Sequence, residues 1–106
     1  MFDRNTKNLW ILLTKELKNS EFLETKVNVK LIDFAKSCGT ESTTFAVKAE
    51  AQRCINLLDS FSLCADIRGT KLRFALSQRS SKVTESDISF RFNEDYALFL
   101  KQLIEE

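Results

Sequence analysis

The sequence contains no proline and no histidine, and it has only two glycines among its 106 residues. With so few residues that break regular structure, each glycine indicates a position where the backbone needs a positive φ. The absence of histidine removes the commonest general base and both the Ser-His and Cys-His nucleophile pairs. Two isolated glycines cannot form a phosphate-binding loop. We therefore predict that the chain is not an enzyme, needs no cofactor and takes no small-molecule substrate.

Cysteine is also scarce, and its three positions, Cys38, Cys54 and Cys64, fall singly at apolar points of the pattern. An odd number of cysteines without C-x-x-C spacing or histidine predicts no metal site, so we expect buried free thiols. The sequence shows no secretory signal pattern, and no apolar run approaches the roughly 18 residues of a membrane span. These absences predict a cytoplasmic protein without a membrane partner.

The chain has almost no excess of charge of either sign, because 16 basic residues are balanced by 15 acidic ones. A net charge of +1 argues against bulk electrostatic coating of nucleic acid, so any such role needs a local patch. Six of the basic residues but only two of the acidic ones lie between Arg68 and Arg91. Length and ordinary apolar content predict one domain over residues 1–106 that folds alone.

The first part of the chain predicts a helix, a short strand and a second helix. Asn5 or Thr6 can cap the first helix, which ends near Asn19. Residues 26–29 alternate as a strand does. The second helix ends at Gly39, a plausible left-handed C′ residue. The apolar stripe of the first helix is Leu9, Trp10, Leu13 and Leu17, and that of the second is Leu31, Phe34, Ala35 and Cys38.

A tight turn at Gly39-Thr40-Glu41 leads to a third helix, predicted over 42–59 with Ser42 as its cap. Two helices joined by a short turn are typical of the helix-turn-helix motif. The second of them would then be a recognition helix in the DNA major groove. The polar residues that it would offer are Thr43, Thr44, Lys48 and Gln52. The alternative interpretation is a solvated surface, because three nearby carboxylates dilute its charge.

Three alternating runs follow and predict one small antiparallel sheet with an exposed polar face. Runs 63–67 and 70–76 are joined at Arg68-Gly69 as a hairpin, and the third run covers 88–92. The hairpin would be a basic wing. Outward-facing cations on the hairpin and third run are Arg68, Lys71, Arg73 and Arg91.

The polar segment 77–87 between the last two runs predicts a mobile loop that carries Arg79 and Lys82. Such a segment is either an exposed connection or an extension of the wing whose cations meet phosphates.

Asn93 can cap a last helix, with Glu94 and Asp95 in its first turn. This helix is apolar on more sides than one intramolecular contact requires, which predicts a homodimer interface. The residues expected at that interface are Tyr96, Phe99, Leu100 and Leu103.

Three stretches resemble the first winged-helix domain of plasmid replication initiator proteins. Residues 29–39 are similar to that family's strand followed by I-A-x-x-x-G, and 49–61 resemble the helix before its hairpin. Residues 88–100 are similar to its I-x-F-x-F, acidic link and helix. The resemblance implies DNA binding and dimerisation. The family's second winged helix is missing, which implies an excised domain, a regulator with one winged helix, or a protein that lost DNA binding.

Together these observations predict an α+β fold: a single winged helix-turn-helix domain with three helices, a small antiparallel sheet with a basic wing, and a C-terminal helix. The function predicted first is duplex DNA binding of plasmid or phage type, through the wing and helix 3. The alternative is a protein-binding module or inhibitor on the same fold, which the near-neutral charge favours. The predicted DNA-contacting residues are Thr43, Thr44, Lys48, Gln52, Arg68, Lys71, Arg73, Arg79, Lys82 and Arg91.

Overall fold

The computed structural model describes residues 3–105, apart from the side chains of Ala65, Ile67, Ile104 and Glu105. Within this part the chain is an α+β fold with four helices and two small antiparallel sheets. In order the elements are α1 (Arg4–Asn19), β1 (Lys26–Lys30), α2 (Leu31–Ser37), α3 (Phe45–Ser60), β2 (Ser62–Ile67), β3 (Thr70–Ala75), β4 (Lys82–Val83), β5 (Asp87–Arg91) and α4 (Glu94–Glu105).

Helix α1 begins at a cap that differs from the prediction. Asp3, and not Asn5 or Thr6, is the N-cap, and its carboxylate accepts a hydrogen bond from the Thr6 amide at 3.1 Å. A carboxylate there satisfies a free N–H and suits the positive end of the helix dipole. The buried stripe packs α1 against β1, α2 and α3. Its apolar members are Leu9, Leu13 and Leu17.

The three-stranded sheet has the order β1-β5-β4, and all its pairs are antiparallel. Val27 pairs with Phe90 and Val29 with Ile88, and all four side chains are buried. Because side chains alternate along a strand, the intervening residues of β1 and β5 lie on the other face. The sheet therefore has one face on the core and one toward solvent.

Strands β2 and β3 form a separate hairpin, so the prediction of one sheet is wrong. Arg68 and Gly69 make its two-residue turn with φ of 53° and 82°, the two positive values that a type I′ turn requires. β5 pairs with β1 and β4 instead of with β3. Just after the hairpin, the chain is joined to the end of β5 by a bridge between Ser77 and Phe92 and by a hydrogen bond from the Gln78 amide to the Arg91 carbonyl.

The segment 77–87 is not the free loop that its composition predicts. It contains β4, and Ser77 is buried. The Asp59 carboxylate near the end of α3 accepts hydrogen bonds from the hydroxyls of Ser77 and, at 2.8 Å, Ser81. These bonds attach the segment to α3.

Helix α2 ends at Ser37, and Gly39, with a φ of +89°, is the C′ residue after it, as predicted. The Thr40 amide donates to the Ala35 carbonyl and the Gly39 amide to that of Lys36, which is the Schellman pattern. The connection to α3 is longer than the predicted turn, because α3 begins at Phe45 after residues 38–44. Its cap is Thr44, whose hydroxyl accepts from the Val47 amide at 3.4 Å, so the prediction of Ser42 is wrong.

Aromatic contacts join α4 to the rest of the fold. Trp10 of α1 lies 5.3 Å from Phe92 and 5.9 Å from Tyr96, centroid to centroid. Phe74 of the hairpin stacks on Phe99 of α4 at 5.0 Å. The hairpin is therefore held against α4 by its apolar face, which leaves its polar face outward.

Candidate nucleic-acid interface

The solvent side of the three-stranded sheet carries a group of four exposed cations. We call it the sheet face and define it by the outward residues of β1, β4 and β5. At its centre the Ser89 hydroxyl donates to the Asn28 side-chain oxygen at 2.6 Å. Around that bond lie exposed cations from all three strands: Lys26, Lys30, Lys82 and Arg91.

The charges on the sheet face are poorly compensated. Lys26 is directly opposite Arg91, and only Lys30 has an acid opposite it, the half-buried Asp87. The ion pairs between described side chains lie elsewhere: Lys48 with Glu85, and Arg53 with Asp3 and Glu50. The sheet face thus has four cations that form no ion pair with a described side chain, and one carboxylate.

Lys26 and Lys30 were not among the predicted contact residues. The signal that could have found them is the alternation of β1, in which Lys26, Asn28 and Lys30 take the positions between two valines. Only the pairing of β1 with β5 shows that they share a surface with Arg91 and Lys82.

The polar side of the hairpin, which we call the hairpin face, is a second basic surface. Lys71 and Arg73 are exposed there, opposite Asp66 and Cys64 respectively, and Arg68 stands in the turn. Lys71 and Arg73, with Asp66 and Cys64 opposite them, line most of a shallow depression of about 480 Å³. The structure thus places three of the predicted DNA contacts on one ribbon, with a single carboxylate among them.

Helix α3 does not offer the free charge expected of a recognition helix. Lys48 Nζ lies 2.6 Å from Glu85 Oε1, and this bond lowers the pKa of the Glu85 carboxyl. Gln52 donates to the Asn56 side chain at 2.9 Å. Thr44 is used as the helix cap, and Thr43 is exposed in the preceding connection. These four predicted contacts lie on neither basic face.

Arg79 is exposed beside the sheet, with a φ of +61°. Its amide donates to the Ser77 hydroxyl at 2.9 Å, and the amide of the preceding Gln78 donates to the Arg91 carbonyl at 2.9 Å. The backbone at Arg79 therefore lies near the end of β5, next to the sheet face.

The predicted dimer stripe on α4 mostly faces inward. Tyr96 is 6% exposed, and burial raises its pKa to about 12. Phe99 is half-buried against Phe74, and Leu100 packs partly on the core. Leu103 is 49% exposed. Tyr96 is unavailable to a partner because its ring packs inside its own chain.

The cysteines differ in burial. Cys54 is buried and Cys38 half-buried, and burial raises the pKa of both thiols. Cys64 is exposed on the hairpin face, so the prediction that it is buried is wrong. In the part of the chain that the structure describes, no group of three acidic or cysteine side chains could hold a metal ion. None of the described helices is long and apolar enough to cross a membrane.

Comparison of the chain with protein-family models, curated protein sequences and solved structures finds no significant match. The case for a function therefore depends on the surface chemistry of the two basic faces.

Proposed function

We propose that this chain binds duplex DNA through contacts of its sheet face and hairpin face with backbone phosphates. The observation that carries the proposal is the cluster of four cations around Asn28 and Ser89, opposed by one carboxylate. Lysine and arginine that neutralise phosphates release counterions, which is the main source of sequence-independent affinity. Hydroxyl and amide groups such as Ser89 and Asn28 also bond phosphate oxygens.

The composition of the sheet face favours a duplex over a single strand. Proteins that bind single strands stack bases on exposed aromatic side chains. The outward positions of the described strands β1, β4 and β5 hold only lysine, arginine, asparagine, serine and aspartate. A surface of this kind can contact a phosphate backbone but provides no stacking platform.

The order of elements supports a winged-helix architecture for this DNA-binding protein. Three helices, with β1 after the first, precede the other four strands. Two of these strands, β4 and β5, form a sheet with β1 in the order β1-β5-β4. In this arrangement the β2–β3 hairpin is the wing, and α3 has a secondary role. The resemblance to plasmid replication initiator domains is part of the same proposal.

Fluorescence anisotropy with a labelled random-sequence duplex tests the proposal. K26T/R91T on the sheet face and K71T/R73T on the hairpin face should each weaken binding to all sequences. Each pair should also reduce the slope of log K against log salt by about 2, because two phosphate contacts are lost. K15Q/K18Q is the matched control. These two lysines are exposed on α1, which packs on the inner face of the sheet, so they do not belong to the sheet face.

Two results would refute the proposal. One is the absence of binding by the unaltered protein near 50 mM salt, where cationic surfaces bind duplex most readily. The other is an equal loss of affinity in the α1 control, which would show an effect of total charge instead of a specific surface. Tighter binding to a single strand than to the duplex would identify a different nucleic acid as the ligand.

A protein-binding module is the second candidate, and one residue favours it. Phe45 is 86% exposed at the first position of α3, beside the exposed Ala46 and Ala49. Exposed aromatic side chains are enriched at protein interfaces. F45S should abolish capture of such a partner while leaving duplex affinity unchanged, whereas K71T/R73T should have the reverse effect.

A further inference from the structure

A small apolar groove lies between α4 and the segment that joins α1 to β1. Its volume is about 260 Å³, and its walls include Phe22 and Ala97. Two leucines at this groove face solvent: Leu23 is 73% exposed and Leu98 is 55% exposed. An exposed leucine alone is ordinary, but two beside a concave apolar surface indicate an interaction site.

The backbone holds Leu23 outward. Glu21 and Phe22 have φ of 56° and 63°, a left-handed conformation that side-chain-bearing residues rarely adopt. The Phe22 amide donates to the Leu17 carbonyl at 3.0 Å, the Leu23 amide donates to Ser20 at 3.2 Å, and the Phe22 ring packs on the core. Such strain persists only where surrounding contacts impose it. Leu23 is therefore presented on a fixed turn.

The ends of the groove carry opposite charges. Glu94 and Lys101 line it on α4, seven positions apart, with Leu98 between them. Seven residues of helix span about 10 Å, so the two side chains do not meet within one chain. Neither takes part in an ion pair among the described residues. The groove thus has an acidic end, an apolar centre and a basic end.

The geometry points to a second copy of this chain as the occupant of the groove. A two-fold axis perpendicular to α4 near Leu98 sets the two helices antiparallel. Glu94 of each copy then meets Lys101 of the other, Leu98 meets its own equivalent, and Leu23 packs at the groove of the other copy. A two-fold interface uses the same patch on both sides, so a patch with opposite charges at its ends complements itself.

This dimer uses a different surface of α4 from the stripe predicted from sequence. Tyr96 and Leu100 pack within their own chain, while Leu98 and Glu94 are exposed and Lys101 is half-buried. The groove is small, so the dimer should be weak and depend on protein concentration.

Sedimentation equilibrium of the full chain tests the dimer. The average mass should rise from 12.2 kDa toward twice that value as the concentration increases to about 1 mM. E94K and K101E should each be monomeric, because every pair across the axis becomes repulsive. E94K/K101E should dimerise again, and an equimolar mixture of the two single variants should form a mixed dimer, because both cross-axis pairs are then attractive.

Variants of the apolar centre complete the test. L98S and L23S should stay monomeric while their circular dichroism spectra remain those of the folded protein. F45S, which removes a still more exposed apolar side chain outside the groove, should dimerise as the unaltered chain does. Monomeric behaviour of the unaltered chain at about 1 mM would overturn the proposal. So would a dimer unaffected by E94K, or a mixture of E94K and K101E that stays monomeric.

Discussion

Lys26 of β1 lies directly opposite Arg91 of β5 on the solvent side of the three-stranded sheet. Opposed positions on one face of an antiparallel pair are close, and like charges there destabilise the sheet. Both cations are exposed, and neither forms an ion pair with a carboxylate among the described side chains. The pair therefore has a cost in stability that a phosphate bound between the two strands would relieve.

We expect K26E to raise stability and lower DNA affinity at the same time. The change replaces a repulsive cross-strand pair with an attractive one, which should increase the free energy of unfolding by a few tenths to about 1 kcal/mol. Urea denaturation measures the gain, and anisotropy should show weaker duplex binding. K15E makes the same charge change on α1 and should leave duplex affinity nearly unchanged. Loss of stability in K26E would contradict the inference that Lys26 and Arg91 repel each other across the strand pair.

At the hairpin turn we also expect one substitution to raise stability and weaken DNA binding. Arg68 has a φ of 53°, which costs an arginine more than an asparagine, and Asn-Gly is a preferred type I′ pair. R68N should therefore stabilise the protein by up to about 1 kcal/mol, measured by urea denaturation. It should also weaken duplex binding by removing a cation. R68K keeps both the charge and the unfavourable φ, so neither quantity should change much.

Tyr96 predicts a loss of stability at alkaline pH. It is the one tyrosine of the sequence, and burial raises its pKa from 10.0 to about 12. The folded state holds this proton more tightly than the unfolded state. Its contribution to stability is therefore complete below pH 10 and is lost as pH rises toward 12. Tyrosinate absorbance, followed with pH, measures the transition.

Y96F is the matched variant for the alkaline transition. It should weaken the pH dependence of the urea midpoint between pH 10 and 12 without changing the rest of the curve. A folded protein whose tyrosine titrates near pH 10 would show that the Tyr96 hydroxyl is open to solvent.

Asp3 predicts a loss of stability in acid. Hydrogen bonds from Thr6 and then from Arg53 lower the pKa of its carboxyl from 3.8 to about 2. A group whose pKa is lower in the folded state stabilises the fold above its unfolded pKa, and the effect is lost as pH falls through the folded pKa. D3N keeps a helix cap but not the charge, so its stability should fall less between pH 4 and pH 2. An identical acid dependence in D3N would contradict this assignment.

Much of the secondary structure can be predicted because its causes are local. The 3.6-residue stripe of α1, the alternation of β1, the glycine that ends α2 and the Asn93 cap of α4 each depend on neighbouring residues. Strand partners are not local. Alternation shows that Phe90 faces inward, but it cannot show that Val27 is the residue opposite.

The candidate site was predicted only in part for the same reason. A count along the chain finds the basic segment 68–91, yet the structure divides those cations between a hairpin and a separate sheet. The sheet then adds Lys26 and Lys30, which lie far away in sequence. Lys48 leaves the candidate set because its ammonium group forms an ion pair with Glu85. That partner lies in the β4–β5 turn, far away in sequence.

The sequence by itself determined the class of the four helices and of the longer strands, and most of the side chains that they turn inward, because the periods of helices and strands are properties of short segments. The tertiary structure alone decided which strands pair and which face of α4 is covered. β5 has two edges of backbone donors and acceptors, and β1 and β4 satisfy them. That pairing brings Lys26 to Arg91, and the packing of Tyr96 against Trp10 leaves Leu98 at the surface.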